Sequence, residues 1–373
     1  MDRPGATPSR AQATPIRVVI ITLDSHLASA TERAQHAMLR ELPGLRLNLH
    51  AASEWSDDSG ALARCIEDIA QGDIVVVTMM FMEDHIRAVL PALQARRDHC
   101  DAMVACMSAG EVVKLTRMGR LDMSGPPSGP LALLRKLRGR SGSNGGASAG
   151  ARQMSVLRGI PKLLRFVPGT AQDLRAYFLA LQCWLAGSDD NVANLVRMLV
   201  NRYAGGARSG LRSTLQAGPP ADYPDVGLYH PGLPGRITAD PRSLPSVRGS
   251  SGTVGILVMR SYVLAGNSAH YDGVICALEE KGLRVLPAFS SGLDARSAIE
   301  KFFMRDGIAT VDAVLSLTGF SLVWAGLPTT MPAPPRKRWR SWTCPTWRRC
   351  RSNSRRWSSG KPRIAVCCRS NRR

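Results

Sequence analysis

The last 50 residues of this chain, 324–373, contain no aspartate and no glutamate. The same stretch holds 14 of the 49 lysine and arginine residues, five of the seven tryptophans and four of the nine cysteines. Removing its 14 positive charges from the net charge of +20 leaves only +6 for residues 1–323. The basic balance of the whole chain is therefore no evidence that its first 323 residues bind nucleic acid.

Two interpretations of the acid-free stretch are open. A basic sequence with interleaved aromatic side chains is typical of a tail that binds the phosphates of a nucleic acid and stacks on its bases. A sequence rich in arginine, tryptophan, cysteine and proline also results when a GC-rich gene is read out of frame. Taking the third base of each codon as the first base of the next permits Val-Gly-Gly-Pro-Ala-Tyr-Asn-Asp-Ala and later acidic, helix-forming segments. We therefore expect a frameshift near Trp324, a disordered out-of-frame tail over 324–373 and no specific nucleic-acid partner.

Other absences narrow the class of protein. The cysteines before residue 324 form no CxxC pair, which favours neither a disulfide framework nor a zinc site. No apolar run approaches the roughly 18 to 20 residues of a membrane span, and residues 1–15 form a polar leader, which we expect to be disordered, without a signal-peptide core. The sequence has no GxxxxGK[ST] loop and no GxGxxG after its first apolar run. We expect a cytoplasmic bacterial protein with no integral membrane span.

Apolar β-branched runs alternate with helical periodicity from residue 16 to residue 123, which predicts βαβ units and a parallel sheet. The order of the units favours a doubly wound, flavodoxin-like α/β domain. The predicted strands are 17–22, 45–50, 73–78 and 102–107. The predicted helices are 27–41, 60–70, 84–98 and 109–117.

Beyond this domain the pattern changes several times. Residues 124–150 are rich in Gly, Ser and Pro and predict a solvated loop, followed by a helical segment over 151–204 and an irregular connector over 205–251. A second, truncated α/β unit is predicted over 252–323. The helices predicted in the helical segment are 154–166, 170–186 and 190–203. The second unit has predicted strands at 253–259, 284–288 and 311–317, and predicted helices at 269–281 and 294–304.

Several short motifs follow one another along the chain. The first two are Met107–Gly119 and Gly159–Arg165. The others are Leu181–Asn191, Gly266–Tyr271, Ala277–Gly282, Val285–Phe289, Ser291–Asp294 and Leu317–Val323. In this order they resemble the large, porphyrin-binding subunit of magnesium chelatase. The family continues its Leu-Thr-Gly-Phe-x-Leu-Val motif with Gly-Gly-Pro-Ala, which the shifted frame of the tail also permits. Family and frameshift therefore support each other.

The resemblance implies an enzyme of chlorophyll or bacteriochlorophyll biosynthesis that inserts Mg²⁺ into protoporphyrin IX, a ligase that forms nitrogen–metal bonds. It implies that this subunit binds the porphyrin, while two ATPase-type partner subunits use ATP. Family members are several times longer than this chain, so we expect a truncated fragment that is inactive alone. The related cobaltochelatase large subunit of cobalamin biosynthesis is an alternative, although Phe81–His85 and Met107–Gly119 are more like the magnesium enzyme. A non-catalytic binding protein with a basic nucleic-acid-binding tail is another.

The best functional candidates lie where ligands tend to bind in an α/β sheet, after the carboxyl ends of parallel strands. They are Asn267, Ser268, His270, Tyr271, Thr318 and Gly319 as substrate-binding residues. A structural role is open for each group, because Asn267 or Ser268 could cap the helix that contains His270, and Gly319 could serve a tight turn. The sequence identifies neither catalytic residues nor metal ligands.

Three further groups have competing interpretations. Glu83, Asp84 and His85 could form a carboxylate–histidine cluster or simply the first turn of a helix, where acids are favoured. Tyr177 and Trp184 could stack on a macrocycle or pack in the core. The basic segment 135–140 could meet porphyrin propionates or an acidic partner, or be a solvated loop.

Overall fold

The computed structural model describes residues 14–125, 159–247, 249–292, 294–318 and 365–368. These residues form two compact units. Unit 1 contains residues 14–125 and 159–221, and unit 2 contains the described residues from 222 onward. The basic segment 135–140 and Gly319 lie outside the described residues.

Unit 1 is built on a sheet of six strands in the order β2-β1-β3-β4-β5-β6. The first four strands are parallel, and their order 2-1-3-4 is the flavodoxin-like one, so the predicted α/β class and its strand order are confirmed. The strands are β1 (Ile16–Thr22), β2 (Leu45–Ala51), β3 (Ile74–Thr78), β4 (Ala102–Cys106), β5 (Arg117–Met118) and β6 (Leu121–Asp122). Helices α1 (Ala28–Met38), α2 (Ala61–Gln71) and α3 (Glu83–Arg97) connect the parallel strands.

The central strands of this sheet are buried on both faces, which explains why β3 and β4 are continuous apolar runs. Side chains of α2 and α3, including Cys65, Ile69 and Leu93, pack on one face against Val75 and Val77 of β3. The core of unit 1 therefore follows from the sequence pattern.

The predicted helix 109–117 is wrong. Only Gly110–Val113 (α4) is helical, and Arg117–Met118 is a strand antiparallel to β4. Buried Thr116 explains the change, because its hydroxyl both accepts from the Ala105 N–H and donates to the Ala105 carbonyl, each at 3.1 Å. These bonds bring the chain back against β4, where a helix could not continue.

Two long helices complete unit 1, α5 (Thr170–Leu185) and α6 (Asp189–Tyr203), as predicted. The Asn191 N–H donates to Ser188 Oγ at 3.3 Å, so Ser188 caps α6. Residues 159–163 are helical and lie within the predicted helix 154–166, of which residues 154–158 are outside the described residues.

Unit 2 contains a second six-stranded sheet, in the order β14-β13-β9-β10-β7-β8. The three central strands are parallel, and the outer ones are antiparallel to their neighbours. The strands are β7 (Val226–Tyr229), β8 (Ile237–Thr238), β9 (Gly252–Leu257), β10 (Leu283–Ser290), β13 (Ala313–Ser316) and β14 (Ala365–Cys368). A separate hairpin pairs β11 (Met304–Arg305) with β12 (Ile308–Ala309). The helices are α7 (Arg260–Leu264), α8 (Ala269–Glu280) and α9 (Arg296–Ala298), the last continuing as a π-helix over Ile299–Phe303.

Three features of unit 2 differ from expectation. Residues 205–251 are not wholly irregular, since β7 and β8 belong to the sheet. Both strands are short, and Gly227 interrupts β7 with a residue of low strand propensity, which weakens the signal. The predicted helix 294–304 begins at Arg296 and gives way to a strand at Met304.

The strand β14 lies within the stretch expected to be disordered. Its backbone pairs antiparallel with β13, from Ala313↔Cys368 to Ser316↔Ala365. The segment is Ala-Val-Cys-Cys, the longest apolar run of a basic stretch. An unpaired strand edge accepts almost any short apolar segment, because the backbone makes the bonds.

Candidate functional site

A narrow crevice lies at the carboxyl ends of β9, β10 and β13, the edge where the sequence places its candidates. Its volume is about 10 Å³, roughly the space of one water molecule. The residues that line it are Leu257, Val258, Met259, Ala288, Ser290, Gly292, Ala295 and Thr318. Drug-sized ligands occupy pockets of about 300 Å³ or more, so this crevice alone does not hold a macrocycle.

Thr318 is the predicted residue that lines the crevice. Its Oγ1 lies 3.0 Å from Ser316 Oγ, so the hydroxyl is held at the end of β13.

Tyr271 is buried beside the same crevice and contacts one of its lining residues. Its hydroxyl oxygen accepts a hydrogen bond from the Met259 N–H at 3.2 Å. Burial raises the pKa of this phenol to about 12, so it stays protonated at neutral pH. Tyr271 therefore fixes the backbone that follows β9, where the wall of the crevice begins.

Ser268 contacts strand β7 rather than the crevice. It occupies the N-cap position of α8, yet its side chain makes no capping hydrogen bond. Instead Ser268 Oγ lies 2.7 Å from the Tyr229 hydroxyl and accepts from Arg236 Nη1 at 3.3 Å. Tyr229 in turn donates to the Asp272 carboxylate. The expected cap by Ser268 is absent because its hydroxyl belongs to this network.

His270 is exposed in the first turn of α8. Its ring lies 3.9 Å from that of Tyr271 between centroids, and 5.6 Å edge-on from that of Tyr262. Burial against these rings lowers the pKa of His270, although Asp272 opposes the shift, which favours a neutral imidazole at physiological pH. The neighbouring Asn267 is half-buried, and its N–H donates to the Tyr262 carbonyl at 3.0 Å.

The predicted residues thus form two groups. Thr318 and Tyr271 lie at the crevice, whereas Ser268 belongs to a polar network between α8 and β7. His270 is the candidate most open to solvent.

Sequence reasoning missed the residues on the other side of that network, because they lie in the expected connector. His230 is 4% exposed, and its Nε2 lies 3.0 Å from Glu279 Oε1. The Gly232 N–H donates to His230 Nδ1 at 3.0 Å, so Nε2 carries the proton and donates to Glu279. Together with Arg236 and Asp272, this pair joins α8 to the β7–β8 hairpin.

The other candidate groups that the structure describes lie in unit 1. Glu83 and Asp84 occupy the first turn of α3, and His85 packs edge-on against Trp55 at 5.6 Å between ring centroids. Tyr177 and Trp184 are buried in unit 1, where the Tyr177 hydroxyl donates to the Ala105 carbonyl at 3.2 Å.

Two features are absent from the described residues. No three or more His, Cys, Asp or Glu side chains are grouped there so as to hold a metal ion. None of the helices in that part of the chain combines the length and apolarity that crossing a membrane requires.

Comparison with protein families gives two matches. A family described as a domain of unknown function (DUF3479) matches residues 17–178, and the family described as CobN/Magnesium Chelatase matches residues 181–361. The second match extends into the acid-free stretch.

Two bacterial relatives align over 306 residues, 82% of this chain and 25% of their own length. They are the H subunits of the magnesium chelatases of Cereibacter sphaeroides, 52% identical, and Rhodobacter capsulatus, 49% identical. The chloroplastic magnesium-chelatase subunit ChlH of Oryza sativa is 29% identical over 343 residues, 86% of this chain and 24% of the relative. The chain therefore spans about a quarter of the length of these relatives.

A solved structure, the catalytic subunit of cobaltochelatase from Mycobacterium tuberculosis, is 15% identical to this chain. The match covers 80% of this chain and 18% of that one, with a TM-score of 0.39.

Proposed function

The chain belongs to the family of magnesium chelatase H subunits, and we propose that it is part of the porphyrin-binding subunit that inserts Mg²⁺ into protoporphyrin IX. The observation that carries the proposal is the 52% identity over 306 residues to the protein of Cereibacter sphaeroides. The proposed setting is the bacterial cytoplasm, in chlorophyll or bacteriochlorophyll biosynthesis. Two ATPase-type partner subunits would use the ATP that drives the insertion.

The reaction makes demands that the described residues meet only in part. Magnesium prefers oxygen ligands and gives up its water reluctantly, and a base must take two pyrrole protons. No metal-ligand group lies among the described residues, and the crevice of unit 2 is about 10 Å³. In this proposal units 1 and 2 are scaffold, and the complete subunit supplies the walls that exclude water around the ring.

Within the scaffold, we assign Asn267, Ser268, His270, Tyr271, Thr318 and Gly319 to the side of unit 2 that faces the porphyrin. The exposed imidazole of His270 supports this assignment, since its unprotonated form could accept a proton. Tyr271 and Ser268 would hold α8 in place through Met259 and Tyr229. Their role is positioning, because both hydroxyls already have partners within the chain.

We also propose that the stretch from about Trp324 is read out of frame. Its lack of acidic residues supports the proposal, and so does the alternative frame, which permits a sequence that resembles the family. The strand β14 fits it as well, since backbone pairing at the edge of β13 requires only a short apolar run. The nucleotide sequence around codon 324 tests this point directly.

A chimera tests whether this chain can take part in magnesium insertion, because a relative supplies the segments that this chain lacks. Residues 16–318 would replace the aligned segment of the Cereibacter sphaeroides protein, to be assayed with that organism's partner subunits, ATP, Mg²⁺ and protoporphyrin IX. We expect magnesium porphyrin formation within about tenfold of the parent. A matched chimera with the same junctions and His270→Ala examines the site. A folded chimera that binds no porphyrin would refute the assignment, and insertion of Co²⁺ but not Mg²⁺ would favour the cobaltochelatase alternative.

A further inference from the structure

A second, wider cleft lies in unit 1, far in sequence from the candidates of unit 2. It is open to solvent, with a volume of about 310 Å³. The hairpin β5–β6, helix α5 and the end of α6 contribute its walls. The lining residues are Asp101, Arg117, Gly119, Asp173, Arg202, Tyr203 and Arg212.

Three guanidinium groups line this cleft, and backbone carbonyls hold two of them. Arg117 donates to the Arg97 carbonyl at 3.0 Å and to the Cys100 carbonyl at 2.6 Å. Arg212 Nε donates to the Ala204 carbonyl at 2.6 Å. Carbonyl groups orient a guanidinium without cancelling its charge. Among the described residues Arg212 has no carboxylate within ion-pair distance, and Arg117 has only Asp98 at 3.7 Å.

The two carboxylates of the cleft are already engaged by other groups. Asp101 receives two hydrogen bonds from Arg208, at 3.1 and 3.3 Å. Asp173 accepts from the Tyr203 hydroxyl and from the Arg120 N–H, each at 2.9 Å. These bonds commit both carboxylates to partners other than Arg117 and Arg212.

Gly119 keeps Asp173 in this position. Its φ is +59°, a conformation that favours glycine, and a Cβ there would lie 2.7 Å from Asp173 Oδ2. Because Gly119 lacks a side chain, the turn of the β5–β6 hairpin packs directly against the Asp173 carboxylate. The conformation of this turn therefore fixes one wall of the cleft.

Arg202 has one N–H without a partner in the described part of the chain, although its side chain bonds that of Tyr203 and lies 6.0 Å from the centroid of the Tyr203 ring. The Nε of Arg202 is buried and has no hydrogen-bond partner among the described residues, and its Nη2 lies 3.8 Å from Asp173 Oδ1, beyond hydrogen-bond distance. Burial and then the charge of Arg202 lower the pKa of nearby Arg175, which indicates a positive potential in this region. A guanidinium group that keeps an N–H without a partner can donate it to an oxyanion.

We propose that this cleft binds a small oxyanion, a phosphate or carboxylate group, between Arg117, Arg202 and Arg212. Such a group would accept hydrogen bonds from Arg202 and Arg212 and would reduce the repulsion between the guanidinium groups. The site is independent of the porphyrin assignment, since it needs only the residues of unit 1.

Titration of the full chain with inorganic phosphate and, separately, with succinate tests the proposal at constant ionic strength. Backbone amide shifts of Arg120 and Tyr203 report the cleft, and the melting temperature reports overall binding. We expect saturable millimolar binding by at least one anion, and the anion that binds identifies the phosphate or carboxylate source. Absence of saturation by both would overturn the proposal.

Four variants test whether the anion binds in the cleft. R202Q/R212Q should weaken it at least tenfold, whereas R87Q, which removes one exposed charge on α3, should leave it unchanged. R212Q alone should weaken it at least threefold and R212K should restore most of the loss. Because Arg212 is exposed, R212Q should fold even if the double variant does not. Equal binding by wild type and R212Q would contradict the assignment.

Discussion

The hydroxyl oxygen of Tyr271 accepts a hydrogen bond from the backbone N–H of Met259 across 3.2 Å. Tyr271 is 1% exposed, in the first turn of α8, and Met259 directly precedes α7. One side chain therefore fixes the backbone between β9 and α7, at the edge of the sheet that carries the candidate site.

Tyr271→Phe removes this acceptor while it retains the ring. We expect a loss of about 1–3 kcal/mol in the free energy of unfolding, because the Met259 N–H is left without its partner. Urea denaturation followed by circular dichroism measures the change. Tyr223→Phe is the matched control, since the hydroxyl of Tyr223 has no partner among the described residues, and it should change stability by less than about 0.5 kcal/mol. Equal effects of the two substitutions would contradict the role of Tyr271.

Asp122 gives a prediction about pH. Partial burial opposes ionisation, but hydrogen bonds from Ser124 and Arg97 outweigh it and lower the pKa of Asp122 to about 2. A carboxylate whose pKa is lower in the folded state stabilises the fold above its unfolded value of 3.8, and that contribution disappears as pH falls toward 2. Asp122→Asn should therefore destabilise the protein at pH 7 by at most about 1 kcal/mol, because the group is largely exposed.

The same substitution should have less effect as the pH is lowered. The urea midpoints of unfolding of wild type and Asp122→Asn would be compared at pH 7, 4 and 2.5. We expect the difference between the two midpoints to shrink as the pH falls to 4 and then to 2.5. A difference that stays constant across this range would show that the charge of Asp122 does not contribute.

Much of the fold could be predicted from the sequence, because the parallel strands are apolar on both faces and the helices between them are amphipathic. Thr116 shows where this failed. A helical pattern continues to Arg117, but the bonds of one buried hydroxyl to Ala105 turn the chain into a hairpin. The periodicity of apolar residues within a short segment gives no information about a contact between residues eleven positions apart.

The candidate site was harder to predict than the fold. Position at the carboxyl ends of parallel strands placed Thr318 in the lining of the crevice and Tyr271 beside Met259, another lining residue. It could not show that Ser268 bonds Tyr229, because the strand that carries Tyr229 has only four residues and a glycine among them. The cationic cleft of unit 1 was also missed, since its arginines are dispersed from Arg117 to Arg212 along the chain.

Nucleic-acid binding separates the two interpretations of the basic stretch. If its charge results from a change of frame, the chain should bind duplex DNA without sequence preference. A protein that makes six to ten phosphate contacts loses roughly 10³–10⁵ in affinity between 50 and 200 mM salt. Fluorescence anisotropy with two unrelated duplexes over this range measures both properties. Sequence-selective binding that survives physiological salt would favour a nucleic-acid-binding tail.

We propose that this chain is part of a magnesium chelatase subunit whose reading frame is lost near Trp324. Formation of magnesium protoporphyrin IX, followed by fluorescence with competent ATPase-type partners, ATP and Mg²⁺, tests this proposal. We expect no product from the 373-residue chain and product from the gene whose frame is restored at codon 324. Activity of the 373-residue chain would contradict the truncation, and inactivity of the restored protein would contradict the assignment to magnesium chelatase.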